Sequence, residues 1–157
     1  MRTLLAPFAV FLALSGPARA GDAFFRSVWP QWHDADSFLS VYEDHTGREL
    51  VGKWTIIRSH PDARGGMYFL SRVINPGPKL EGATIVIRVI SPDSTNTRVF
   101  TFTADIPKGK PLFELGLTGK DWAGPKAEPV SWEVELHSAD GRLLDRKTSY
   151  LWEKPAT

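Results

Sequence analysis

Cysteine is absent from all 157 residues. That excludes disulfides, thiolate metal centres and thiol nucleophiles, and with them a thioether lipid anchor. No Asn-x-Ser/Thr acceptor occurs either, since Asn96 is followed by Thr97-Arg98 and Asn75 by Pro76. Neither sign of charge dominates: 19 Lys and Arg face 18 Asp and Glu. Nucleic acid and anionic membrane are therefore not expected partners. Long apolar runs are also missing, with one exception at the start.

That exception carries information. Arg2 supplies a positive start, Leu4 to Leu14 form an apolar run broken only by Pro7, and Ala18-Arg19-Ala20 places small residues at alternate positions. The layout is that of a cleaved secretory signal over residues 1–20, with mature protein from Gly21. The run is shorter than the roughly 20 residues a helical span needs, so no membrane span is expected after cleavage. Removing Arg2 and Arg19 leaves 17 basic against 18 acidic residues, a net charge of −1. A disulfide-free, sequon-free exported chain fits the bacterial periplasm or secretome. The 137 residues that remain are enough for one self-sufficient core.

The mature chain divides by character. Residues 21–50 read as an irregular, aromatic-rich leader, with Phe24, Phe25, Trp29, Pro30 and Trp32 ahead of Asp34-Ala35-Asp36-Ser37. Within it, 36–45 is the one helix candidate. Asp34 or Asp36 can cap it, Phe38, Val41 and Tyr42 share a face, and Gly47 sits just past its end. Residues 51–154 form the β domain and 155–157 a short tail.

Seven runs read as strands: 53–59, 67–74, 83–91, 98–104, 111–117, 129–138 and 142–152. Turn chemistry separates them, as in Asn75-Pro76-Gly77-Pro78, Pro107-Lys108-Gly109 and Asp140-Gly141. The cleanest alternation is Val130, Trp132, Val134 and Leu136 against Ser131, Glu133, Glu135 and His137. A three-residue loop, Ala139-Asp140-Gly141 with Gly141 left-handed, pairs Leu136 with Leu144, Trp132 with Thr148 and Val130 with Tyr150. The two-residue alternative pairs Leu136 with Asp145 and Val134 with Lys147, setting charges on the buried face. The first register is expected. Strand 83–91 is apolar on both sides and is expected to be central and covered on both faces. About seven antiparallel strands without intervening helices predict an all-β, single-domain sandwich of the immunoglobulin-like or fibronectin-like kind, with a short helix near its N-terminus. No Cys…Trp…Cys spacing accompanies it.

Chemistry is harder to find. His33-Asp34-Ala35-Asp36 and Glu43-Asp44-His45 bracket the helix candidate, yet no metal-ligand spacing is present. Serines lack a nucleophile elbow or a Ser-x-x-Lys pair. Glu133 and Glu135 share a strand face, where solvated positions are expected. Gly116-Leu117-Thr118-Gly119-Lys120 lacks the spacing of a phosphate loop and reads as a turn. No catalytic residue, metal or cofactor is expected.

Tryptophan is what the chain has in excess, with six in all. Trp54, Trp132 and Trp152 fall in strands and read as core. Phe24, Phe25, Trp29 and Trp32 of the leader, and Trp122 in a connecting loop, form the candidate binding surface, because exposed aromatics serve protein hot spots and sugar platforms. The sequence thus points to an exported, non-catalytic sandwich acting as a protein-interaction, accessory or assembly module of the bacterial envelope. A carbohydrate-binding module stacking polysaccharide on the tryptophans is the alternative, and a metal-dependent hydrolase a second.

Overall fold

Eight strands account for almost all regular structure in the computed structural model, which describes residues 21–38 and 54–152. In chain order they are β1 (Phe24–His33), β2 (Trp54–Arg58), β3 (Gly66–Ile74), β4 (Leu80–Ile90), β5 (Arg98–Ile106), β6 (Leu112–Thr118), β7 (Ser131–His137) and β8 (Leu143–Thr148). They form two four-stranded sheets, ordered β1-β3-β6-β2 and β5-β4-β7-β8. All neighbours are antiparallel except β2, which runs parallel to β6. The all-β sandwich is as expected. The strand count and the wholly antiparallel pairing are not.

The extra strand is β1. The supposed leader pairs with β3 along its length, from Phe24 opposite Ile74 to His33 opposite Gly66. Its alternation is hidden because the register slips between Phe25 and Ser27. Phe25 points into the core before the slip, and Val28 and Trp32 pack against the core after it. One extra residue at a bulge thus turns an odd-numbered inward row into an even-numbered one. Pro30 is tolerated because β1 is an edge strand. Of the expected helix, Ala35–Phe38 form a 3-10 turn; residues 39–45 lie outside the described residues.

The core lies between the sheets. Phe25, Met67, Phe69, Val73, Phe113, Leu115 and Leu117 face Ile85, Ile87, Val89, Phe102, Ile106, Val134, Leu136 and Leu144. In β4 burial alternates strictly, with Ala83, Ile85, Ile87 and Val89 sealed while Val86 and Ile90 are only half-buried. β4 is central, flanked by β5 and β7, but it is not covered on both faces. β3 and β6 fill that role instead, buried at nearly every position.

The β7–β8 hairpin corrects the expected register. Its loop is Ala139-Asp140-Gly141 as reasoned: Ser138 N–H donates to Arg142 O at 2.9 Å, Gly141 has φ +85°, and His137 faces Leu143. A second irregularity follows at once, so Leu136 faces Asp145 and Val134 faces Lys147. Charge on the core-side row is accepted because β8 is an edge. The Asp145 carboxylate takes the Phe25 N–H at 2.7 Å, at the β1 bulge. Beside it Arg142 holds Asp22 through two hydrogen bonds of 2.7 and 2.9 Å. These contacts close one side of the sandwich. At one end Asn75 joins two turns, its Nδ2 donating to Pro78 O and Ile106 O.

Candidate functional site

The five aromatics expected to form a binding surface do not come together as one. Phe25 is 1% exposed and belongs to the core. Trp122 is 5% exposed, packs in the same core and donates its indole N–H to Ala127 O at 2.7 Å. Neither ring is open to a ligand. Trp32 packs partly against the core and donates to Asp34 Oδ1 at 2.8 Å. Trp29 is half-buried with the Arg72 guanidinium 5.7 Å from its ring centre. Phe24 alone of the five is exposed, at 44%.

The ionisable groups pair off rather than converge. His60 Nε2 lies 3.0 Å from Asp121 Oδ2, and Arg98 takes the other oxygen at 3.2 Å and the Asp121 carbonyl at 2.7 Å. This ties the loop after β2 to the turn after β6 and to the start of β5. On the outer face of the second sheet Arg88 bridges Glu133 and Glu135, each at 2.9 Å. His137 adds a 2.8 Å contact to Glu135, and Arg146 lies 3.4 Å from Glu133. Glu133 and Glu135 were expected to be solvated; they are instead spanned by an arginine and largely covered. Burial pushes the Glu135 carboxyl up, but hydrogen bonds from Arg88 and His137 outweigh it and hold the group below the ordinary glutamate range. Among the described residues no three His, Asp or Glu side chains gather as metal ligands.

Glu114 stands apart. It alternates with Phe113 and Leu115, so it lies on the outer side of β6, yet it is 1% exposed. Its Oε1 has no hydrogen-bond partner. Burial pushes its carboxyl up, with the Arg58 charge offsetting only part of the shift. Arg58 Nε donates to the Tyr68 hydroxyl at 2.7 Å, and that hydroxyl donates to Arg64 O at 2.5 Å. The sequence signal was a single acid inside the apolar run Leu112–Leu117.

The feature with the clearest capacity to bind is a strand edge. Four strands end the two sheets, and three are blunted in ways that discourage further pairing. β1 carries Pro30 and a bulge, β2 has five residues among those described, and β8 has a bulge together with Asp145, Arg146 and Lys147. β5 has none of these devices. It runs for nine residues and is uncharged from Val99 to Ala104. It pairs with β4 on one side and, among the described residues, with no strand on the other. Val99 is 57% exposed, and Thr101 and Thr103 are also exposed. Sequence reasoning identified the strand but not its position, because edge status is a property of topology. No family model, curated protein or solved structure matches this chain. Its own residues carry the functional reading.

Proposed function

We propose that this protein is an exported, non-catalytic β-sandwich of the bacterial cell envelope that works by holding another polypeptide, as an interaction, accessory or assembly module. The observation that carries the reading is the β5 edge, which pairs with no strand beyond β4 among the described residues. A long, uncharged, β-branched edge exposes a row of backbone donors and acceptors that an extended segment can satisfy by adding a strand. Alternate side chains Val99, Thr101 and Thr103 would give that segment one face to read. Export rests on the layout of residues 1–20, and the periplasm or the exterior is the proposed location. The immunoglobulin-like or fibronectin-like character of the sandwich belongs to the same proposal, supported by two packed sheets of mainly antiparallel strands. A polysaccharide platform finds less support, because Trp122 and Phe25 are sealed in the core.

The test is capture from an envelope extract by the purified protein and by its Thr101→Lys and Thr103→Lys variants. Lysine on an exposed edge leaves the fold intact while opposing strand addition. We expect a polypeptide enriched by the parent and lost with both variants, with thermal unfolding unchanged. Equal capture by the variants, or enrichment of glycan without protein, would overturn the reading.

A further inference from the structure

We infer that the polypeptide seated on the β5 edge is a second copy of this chain, joined antiparallel about a two-fold axis through Thr101; the inference rests on the strand-adding role of this edge. The segment Val99-Phe100-Thr101-Phe102-Thr103 reads alike in both directions, a β-branched residue at each end, phenylalanine next, and threonine at the centre. Laid antiparallel on its own copy, it sets Thr101 opposite Thr101, Val99 opposite Thr103 and Phe100 opposite Phe102. Cross-strand partners share a sheet face, and this register meets that requirement at every position. The outward row 99, 101, 103 meets itself, and the inward row, with Phe102 buried and Phe100 packed on the core, also meets itself.

Charge agrees with the same register. Arg98 of each copy faces Ala104 of the other, beside Asp105, so no like charges are opposed. Shifting the axis by one residue to Phe102 would set Val99 against Asp105 and forfeit that match. Arg98 is already fixed outside the pairing row by Asp121 of its own chain. The outcome is an isologous contact in which the two β5 strands make one continuous eight-stranded sheet. It also removes the edge: a six-residue uncharged stretch of Val, Phe, Thr and Ala left open is a template for uncontrolled association, and a closed two-fold pairing ends the chain of addition at two.

The absence of cysteine makes the test direct. A single Thr101→Cys substitution puts one thiol opposite its own copy at the axis, within the Cα separation a disulfide spans. Thr103→Cys puts its thiol opposite Val99 instead. We expect the Thr101→Cys protein to form covalent dimers under mild oxidation, Thr103→Cys to form several-fold fewer, and sedimentation of the parent to show a concentration-dependent dimer that Thr101→Lys abolishes. A parent that sediments as a monomer at every concentration, or equal crosslinking at positions 101 and 103, would overturn the inference. If the parent is monomeric but Thr101→Lys still abolishes capture of a different polypeptide, the second copy is wrong and the strand-adding function stands. If capture is indifferent to Thr101→Lys as well, both fall.

Discussion

At the scale of single residues, Glu114 is the position where local preference and fold disagree most. An acid sealed on a sheet face with one oxygen unsatisfied costs free energy whenever it is ionised. Because its folded pKa is raised, its contribution is fullest below the ordinary glutamate value and is lost as pH rises through the folded value. We expect Glu114→Gln to flatten that part of the profile, so that chemical unfolding at neutral pH shows the variant at least as stable as the parent. A parallel pH slope in the two proteins would contradict this. Glu135 behaves oppositely: its folded pKa is depressed, so its contribution is present above the ordinary value and lost as pH falls through the folded one. Gly116 is constrained by shape. A Cβ there would come within 2.5 Å of the Tyr68 ring. We expect Gly116→Ala to cost about 1–3 kcal/mol in denaturant unfolding.

Among the elements, legibility tracked the regularity of the alternation. Each of the seven runs read from the sequence holds a strand, because Gly, Pro, Asn and Asp mark their ends and period-two patterning fills their interiors. The last, expected over 142–152, stops at Thr148, so Tyr150 does not pair with Val130 and Trp152 lies half-buried in a turn rather than in a strand of the core. β1 escaped because the bulge at Arg26 inverts its pattern and Pro30 argues against a strand. The hairpin register escaped because the pattern rule assigns charge to solvent, while Asp145 finds an N–H donor across the sandwich rim. The candidate site was the least legible part. Tryptophan-rich loops suggested contact surfaces, but large rings bury when they can, and Trp122 did. Two consequences follow for β1 and β8. Deleting Gly21–Gln31 removes Phe25 from the core and strips β3 of a neighbour, so we expect loss of the cooperative thermal transition rather than a folded, binding-deficient domain. Asp145→Ala leaves the Phe25 N–H without its carboxylate, at an expected cost of about 1–3 kcal/mol.

For the whole molecule, the distribution of edge protection organises the picture. β1 and β8 are bulged and tied to each other by Asp22–Arg142 and Phe25–Asp145. β2 has five residues among those described. Among the described residues β5 is a nine-residue edge strand that pairs only with β4, and its row of Val99, Thr101 and Thr103 carries no charge to repel a partner. The most direct measurement is amide hydrogen exchange across Arg98–Ile106, first in dilute protein and then with the β5 edge occupied at high protein concentration or by captured polypeptide. We expect fast exchange of alternate amides in the dilute state and marked protection on occupation, confined to β5. Exchange that stays fast while association or capture proceeds would place the interface elsewhere and contradict the assignment of this edge.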